Sequence, residues 1–210
     1  MSDAAATMLL ATRSLGKLHE LRPLFEEAGL HVDDLAHAGL QEQEAESDLE
    51  CFATFEENAL AKARYFHALS GGRATVADDS GLEVQALGGA PGVQSKRWSG
   101  RPDLSGRALD AANNARLLAA LRGTRDRRAR YVCVAAYVDA TGERTFRGES
   151  TGMILEAPRG SGGFGYDPLF LSDALGVTFG EASREDKARV SHRGRAFAKL
   201  LLELRAGQHR

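Results

Sequence analysis

Hydrophobic residues recur at two spacings along this chain, and together they predict alternating strands and helices. Apolar runs at Met8–Ala11, Leu30–Leu35, Ala74–Asp78 and Tyr131–Val138 are typical of buried strands. Three segments show helical spacing, with apolar residues at Leu18, Leu21, Phe25 and Ala28; at Phe55, Ala59, Ala63 and Phe66; and at Phe197, Leu200, Leu201 and Leu204. The interleaving of the two patterns favours an α/β fold.

Polar and turn-forming residues predict where these elements begin and end. Thr54, three residues before Glu57, predicts a capping box at a helix start. Asp79–Gly81 is predicted as a turn between two strands, and Asp139–Gly142 as the turn of a hairpin. Pro23 predicts a kink or a late start in the first helix. The remaining patterns predict a further helix at Ser105–Leu121. They also predict two glycine-rich loops, Leu87–Gly100 and Gly160–Gly165.

Composition and charge narrow the classes of function. The 210 residues suffice for one large domain or two tightly packed lobes, and 43% of them are hydrophobic. A net charge of −2 argues against a nucleic-acid-binding protein, which usually has a strong basic excess. No apolar run approaches the roughly 20 residues of a membrane span. We expect a single domain over residues 8–206 after a short extension at 1–7, with neither nucleic acid nor a membrane as partner.

The two cysteines, Cys51 and Cys133, indicate a reducing compartment. Neither belongs to a CxxC motif or to a Cys/His cluster with metal-ligand spacing. The stretch Met1–Leu10 contains Asp3 in place of the basic residues of a signal peptide. We therefore expect a cytoplasmic protein.

Two helix starts carry residues suited to a phosphate group. Thr12–Lys17 is a strand-to-helix junction where backbone N–H groups and a lysine can meet an anion, although a capped helix with a solvated lysine gives the same pattern. Asn58 and Lys62 lie one turn apart on the second helix and can project from one face. The capping box explains Thr54 without any function, whereas Asn is a poor choice inside a helix.

Asp78 and Asp79 form an acidic pair at a predicted strand end. Adjacent carboxylates repel each other, so a divalent cation or a proton would offset the cost of placing them there. Asp is also a favoured turn residue, and a plain acidic turn explains the pair equally well. The residues alone leave both interpretations open.

Two segments in the second half of the chain combine features of nucleotide recognition. Gly162–Pro168 places aromatic residues between glycines, which suits base stacking but also a tight structural loop. Lys187 and Ser191–Gly194 bring cations to the predicted start of the last helix. Cations there oppose the helix dipole, which favours anion or base recognition over a solvated basic face.

Taken in order, these segments resemble the inosine triphosphate pyrophosphatase family, whose members are also called XTP/dITP diphosphatases. Five motifs spread over almost the whole chain carry the resemblance: Thr54–Ala59, Ala77–Leu82, Gly88–Gly92, Gly162–Pro168 and Ser191–Gly194. The resemblance implies an elongated, mixed-sheet, two-lobed α/β fold with a central nucleotide-binding cleft. It also implies a homodimer that uses Mg²⁺ to hydrolyse ITP, dITP and XTP to the nucleoside monophosphate and pyrophosphate.

The resemblance assigns roles to individual residues of this sequence. Asp79 is implied as catalytic base and magnesium ligand, with Asp78 beside it and Glu50 as the carboxylate from the acidic segment, Gln41–Glu50. The substrate-binding residues that it implies are Thr12, Arg13, Ser14, Lys17, Asn58, Lys62, Ser80, Phe164, Gly165, Tyr166, Asp167, Lys187, His192 and Arg193. Three of these, Lys17, Lys62 and Lys187, are expected to face phosphates.

Selectivity for the base is expected from hydrogen-bond donors that face the 6-keto oxygen. His192, Arg193 and the loop backbone near Phe164 are the candidate donors. An adenine amine would then face a donor, and buried polar groups left unpaired disfavour ATP.

One departure from the family pattern concerns the first motif. The family has Gly-Asn after the first Thr, whereas this chain has Arg13-Ser14. Ser14 is shorter than Asn, and Arg13 either adds a cation or obstructs the site. Three alternative functions therefore stay open: a pyrophosphatase for other modified nucleotides, a non-catalytic nucleotide-binding module, and a phosphatase that releases orthophosphate.

Overall fold

The computed structural model describes residues 7–208, which contain both predicted kinds of element. The helices of this part of the chain are α1 Leu15–Glu27, α2 Phe55–Leu69, α3 Gly106–Ala120, α4 Arg184–Val190 and α5 His192–Gln208. The strands are β1 Met8–Leu10, β2 Val32–Asp34, β3 Thr75–Val84, β4 Arg128–Asp139, β5 Gly142–Ile154 and β6 Phe170–Ser172. Short 3-10 turns at Glu44–Asp48, Gln85–Leu87 and Gly92–Arg97 complete the pattern.

The six strands form one mixed sheet in the order β2-β1-β3-β4-β5-β6. β1 pairs in parallel with β2 and with β3, because the connections through α1 and α2 return the chain to the same sheet end. β5 and β6 pair antiparallel. This sheet with its helices confirms the predicted α/β class.

The described residues divide into two compact units, each with its own apolar core. Unit 1 comprises the chain up to Asp79, Cys133–Gly148 and the residues from Arg193 onward. Its core is built mainly from α1, α5 and the strands between them, and includes Phe25, Phe197 and Leu200. Unit 2 comprises Ser80–Val132 and Glu149–His192, with a core that includes Leu117, Tyr131, Phe170 and Phe179.

Several element predictions are confirmed. The Thr54 hydroxyl accepts a hydrogen bond from the Glu57 N–H, so α2 begins with the predicted cap. The hairpin turn lies between β4 and β5, although both strands are longer than predicted. α1 begins at Leu15 and continues through Pro23, so the late start is wrong.

The predicted turn at Asp79–Gly81 is also wrong, because β3 runs without a break from Thr75 to Val84. Neither β6 nor α4 was expected, and Lys187 therefore lies in a separate short helix before α5. Residues 1–6 of the predicted N-terminal extension lie outside the described part of the chain. Within residues 7–208, no helix combines the length and apolar character that crossing a membrane requires.

Candidate active site

Strand β3 separates the two adjacent carboxylates by giving them different partners. Successive side chains of a strand point to opposite faces, so neighbouring aspartates need not repel each other at close range. Asp78 Oδ2 lies 3.0 Å from Lys17 Nζ and 3.4 Å from Arg193 Nε. The Cys133 thiol is a third neighbour, at 3.7 Å. Asp78 is thus the anchor of a buried ionic cluster in unit 1.

Arg193 extends this cluster to helix α1. Its side chain is only 3% exposed, and Nη1 donates to Glu20 Oε2 at 2.5 Å. Burial would raise the pKa of Asp78, but Lys17 and then Arg193 outweigh it and hold that pKa well below its usual range. Burial alone would lower the pKa of Arg193, yet Glu20 and Asp78 raise it above its usual value. The cluster therefore stays ionised.

We expect Asp78→Asn to destabilise unit 1 strongly. Removing this carboxylate leaves Arg193 and Lys17 short of a buried counter-charge, which typically costs about 3–5 kcal/mol. Urea unfolding would measure the loss in the free energy of unfolding. Asp33→Asn is the matched control, because the Asp33–Arg73 pair is partly exposed and contributes less than about 1 kcal/mol. Equal losses for both variants would contradict a structural role for Asp78.

Asp79 is held by Asn58 of α2 and is itself 6% exposed. Asn58 Nδ2 donates to Asp79 Oδ2 at 2.9 Å, while Asn58 Oδ1 accepts from the Phe52 N–H at 2.9 Å. The amide also donates to the Phe52 carbonyl oxygen, at 3.4 Å. Asn58 therefore ties Asp79 to the chain that leads into α2. These contacts make Asn58 a positioning residue in addition to its predicted role at the substrate.

The carboxyl group of Asp79 lies in a field of mixed charge. Burial raises its pKa, Lys17 and Lys62 lower it, Glu50 raises it, and the net direction is upward. Lys62 forms an ion pair with Glu50 and donates to the Asp78 carbonyl oxygen at 2.9 Å. Asp79 and Glu50 are thus two carboxylates that repel each other near the ammonium group of Lys62.

The start of α1 brings the predicted phosphate loop into unit 1. The Ser14 hydroxyl caps the helix by accepting from the Lys17 N–H at 3.4 Å, and the Ser14 N–H donates to Thr12 Oγ1 at 3.2 Å. Arg13 is turned to the acidic segment, where it bonds Glu46. Ser14 thus caps the helix, Lys17 lies beside Asp78, and Arg13 binds Glu46, while the substrate contacts expected of all three stay predictions.

The donor set of unit 1 suits a divalent cation. The cluster contains the cations Lys17, Lys62 and Arg193 and the carboxylates Glu20, Glu50, Asp78 and Asp79, so its net charge is minus one. Hard divalent cations prefer carboxylate oxygens, which Glu50 and Asp79 supply. The three contacts of Asp78 all involve Oδ2, whereas its buried Oδ1 accepts no hydrogen bond from residues 7–208, so the metal role of Asp78 stays a prediction. Among residues 7–208, no group of three or more His, Cys, Asp or Glu side chains forms a complete metal cage.

Unit 2 contains a second cluster of predicted residues, built around Asp167. Lys187 Nζ lies 2.6 Å from Asp167 Oδ2, and both side chains are buried. The same ammonium lies 5.2 Å from the ring centre of Phe164 and 5.5 Å from that of Phe179. Tyr131 OH donates to Asp167 at 3.4 Å. Lys187 is thus placed with aromatic rings, which fits a base better than the predicted phosphate contact.

The glycine-rich loop is shaped by hydrogen bonds from its surroundings. The Phe164 N–H donates to Asp167 Oδ2 at 2.8 Å, and the Gly165 N–H donates to Asp110 Oδ2 at 2.9 Å. Gly163 has a φ of +68°, and a Cβ there would lie 2.0 Å from Asp167 Oδ2, so only glycine fits. Both loop amides are therefore committed to carboxylates, which argues against the predicted donation from this backbone to a 6-keto oxygen.

The remaining predicted residues of unit 2 have distinct surroundings. The His192 ring stacks on Tyr131 with ring centres 4.5 Å apart and an interplanar angle of 7°. Tyr166 OH donates to the Ser95 carbonyl oxygen at 2.8 Å, which makes Tyr166 a core residue. Ser80 follows Asp79 in β3 and is half-buried. Of the predicted set, unit 2 contains Ser80, Phe164–Asp167, Lys187 and His192.

Residues 8–203 match the model of the Ham1 family. The chain belongs to the Ham1 family. It is 48% identical to a dITP/XTP pyrophosphatase of Syntrophobacter fumaroxidans, over 94% of this chain and 82% of the relative. It is 50% identical to a dITP/XTP pyrophosphatase of Mycolicibacterium paratuberculosis, over 92% of this chain and 93% of the relative. The solved structure of the Staphylococcus aureus Ham1 protein is 35% identical and superposes with a TM-score of 0.80, covering 96% of this chain and 99% of that one.

Membership of the Ham1 family confirms the resemblance drawn from the motifs, and the family is consistent with a divalent metal cofactor. Several residues of both units had escaped sequence analysis. Glu20 lies three positions after Lys17 on α1, a spacing that puts both on one helix face. Asp110 and Asn114 lie one turn apart on α3 and hold the N–H and the carbonyl of Gly165. Cys133 is one of several small apolar positions in β4, and nothing in the sequence sets it apart.

Proposed function

We propose that this protein hydrolyses the non-standard purine nucleoside triphosphates ITP, dITP and XTP to the monophosphate and pyrophosphate. The observation that carries the proposal is the arrangement around Asp79. Asn58 orients this carboxylate, Glu50 lies beside it, and Lys17 and Lys62 supply positive charge. The name dITP/XTP pyrophosphatase of the two curated relatives supports the same substrate class.

Asp79 acts as the general base in this proposal. A water molecule that loses a proton to this carboxylate attacks the α-phosphorus. The bond from the α-phosphorus to the bridging oxygen breaks, and the pyrophosphate departs. Asn58 keeps the accepting oxygen in place through its 2.9 Å hydrogen bond.

Lys17 and Lys62 meet the phosphate chain. An ammonium has three N–H donors, and each lysine uses two of them in its contacts within residues 7–208. One donor on each remains for a phosphate oxygen. Because the cluster carries a net negative charge, a triphosphate needs an accompanying cation. We propose Mg²⁺ held by Asp79 and Glu50, which would neutralise phosphate charge and polarise the phosphorus centre.

Unit 2 is proposed to hold the base. Phe164 offers a stacking face, and Lys187 and His192 offer hydrogen-bond donors. A homodimer, which the motif resemblance implies, and a cytoplasmic location, which the cysteine pattern favours, complete the proposal. Multi-angle light scattering of the purified chain would show a dimer or a monomer directly.

The products of ITP hydrolysis in H₂¹⁸O test the proposal. We expect IMP and pyrophosphate in equal amounts, with the label only in IMP, because attack at the α-phosphorus leaves the water oxygen on the monophosphate. Phosphorus NMR and mass spectrometry measure both products. Orthophosphate as first product would identify a phosphatase, and tight ITP binding without turnover in Mg²⁺ would identify a binding module. The same reaction with EDTA should give no product.

A further inference from the structure

The acidic segment that supplies Glu50 has no apolar anchor in its central turn. Its 3-10 turn, Glu44–Asp48, contains no buried residue. Five of its ten residues are carboxylates, which repel one another: Glu42, Glu44, Glu46, Asp48 and Glu50. Hydrophobic burial therefore cannot fix the path of this segment, and polar contacts must do so.

Arg13 makes three of these polar contacts. Its guanidinium binds Glu46 through two nitrogens, with Nη2 at 2.7 Å from Oε1 and Nε at 3.0 Å from Oε2. A third nitrogen, Nη1, donates to the Leu40 carbonyl oxygen at 2.8 Å. The contacts thus fall just before the acidic segment and in its middle. A planar guanidinium forms such a fork, which fixes orientation as well as distance.

The same side chain and its partner are linked to α2. The Arg13 guanidinium lies 5.8 Å from the ring centre of Phe66, within the range of a cation–π contact. Glu46 Oε1 also accepts from the Gln43 N–H at 3.1 Å, and Gln43 Oε1 accepts from Tyr65 OH at 2.9 Å. The phosphate loop, the acidic segment and α2 are joined by this network.

We propose that Arg13 is a positioning residue that clamps the acidic segment and thereby presents Glu50 to the site of Asp79 and Lys62. Three of the five N–H donors of its guanidinium bind the segment or its entry, and Glu46 balances its charge, so we assign Arg13 to the segment and not to a phosphate. This explains how an arginine is accommodated in the loop between β1 and α1. The kinetic part of the inference rests on the proposed function, whereas the clamp itself does not.

Hydrogen–deuterium exchange of the metal-free, full-length chain tests the clamp. We expect Arg13→Ala to speed amide exchange of residues 43–50 by about tenfold or more, because loss of a charged hydrogen-bonded pair shifts local opening by at least that factor. Arg64→Ala is the matched control: Arg64 forms an equally bidentate pair with Glu143, at 2.7 and 2.6 Å, away from the acidic segment. Unchanged exchange in Arg13→Ala would overturn the clamp, even in a protein without pyrophosphatase activity.

Kinetics separate a clamp from a phosphate contact. A clamp predicts that Arg13→Ala raises the Mg²⁺ concentration for half-maximal activity about tenfold and changes kcat at saturating Mg²⁺ by less than about threefold. Glu46→Ala should have the same effect, and the double variant should be no worse than either single one. A higher KM for ITP in Arg13→Ala, with Glu46→Ala unaffected, would overturn the clamp in favour of a phosphate ligand.

Two further changes at the Arg13–Glu46 pair should restore part of its effect: a conservative substitution of Arg13 and a swap of the two charges. Arg13→Lys keeps the charge but not the bidentate geometry. We therefore expect its amide exchange rate and its Mg²⁺ concentration for half-maximal activity to lie between those of wild type and Arg13→Ala. Combining Arg13→Glu with Glu46→Arg restores the ion pair with its two charges swapped. Amide hydrogen exchange of residues 43–50 should then be slower than in either single variant. Failure of the exchanged pair to improve on both singles would argue that the Arg13 contacts do not hold the segment.

Discussion

Asp79→Asn should lower kcat for ITP by roughly 10³-fold or more while leaving the fold intact. A general base contributes about 10²–10⁴-fold, and loss of a metal-binding oxygen adds to this effect. The amide is isosteric and can still accept from Asn58 Nδ2, so the local packing survives. Pyrophosphate release under saturating Mg²⁺ and ITP is the measurement.

The control for this variant is Asp33→Asn, another strand carboxylate of unit 1 paired with an arginine. It should keep wild-type kcat. Circular dichroism and urea unfolding of both variants establish that the loss is chemical. Retention of more than about a tenth of wild-type kcat in Asp79→Asn would remove the general-base role, because losing a general base lowers kcat by at least about 10²-fold.

We expect kcat/KM for ITP and XTP to be about 10⁴-fold above that for ATP. The 6-amino group of adenine would leave the buried donors of the site without an acceptor, and nothing compensates for the lost hydrogen bonds. The contacts narrow the donors that enforce this selectivity. Arg193 is engaged by Glu20 and Asp78, and the Phe164 and Gly165 amides are engaged by carboxylates. Lys187 also pairs with Asp167, but its ammonium lies beside the Phe164 ring, and we propose Lys187 and His192 as donors to the 6-keto oxygen.

A variant of Lys187 tests the assignment. Lys187→Met removes the donor and should lower kcat/KM for ITP by about 10–100-fold and change that for ATP little, since a donor to a keto oxygen contributes nothing to an amine. Arg189→Met is the control, because Arg189 is an exposed cation of the same helix paired with Asp186, and urea unfolding measures the stability that Lys187→Met loses with the Asp167 pair. Comparable kcat/KM for ITP and ATP in the wild type would refute the selectivity argument itself.

Elements that follow from local periodicity and capping were predictable from the sequence. Elements that depend on pairing within the sheet were not. The cap at Thr54 and the helix after it follow from local chemistry, so α2 was found correctly. Asp79–Gly81 has the composition of a turn, yet pairing within the sheet overrides that local preference and keeps β3 continuous. The strand β6 has only three residues, which is too short for an apolar period to be recognised.

The sequence predicts a set of candidate site residues but not their contacts. Motif resemblance implies roles for Lys187 and Arg193, but no local pattern indicates that their partners are Asp167 and Glu20. Such pairs depend on tertiary structure, since the partners are 20 and 173 positions apart. The repulsion argument for Asp78 and Asp79 assumed a turn, and it weakened once a strand placed the two side chains among different neighbours.

The uninterrupted course of β3 also restricts how this chain can vary in length. Removing one residue just before Asp78 would advance the register by one pleat and turn every later side chain of the strand to the other face. Asp79 would then take the place that Asp78 now occupies among the cations, and Asp78 would take the place of Ala77. Helix-to-strand connections such as 121–127 have no such parity, so insertions during evolution are admissible there and excluded from the strand that carries the two aspartates.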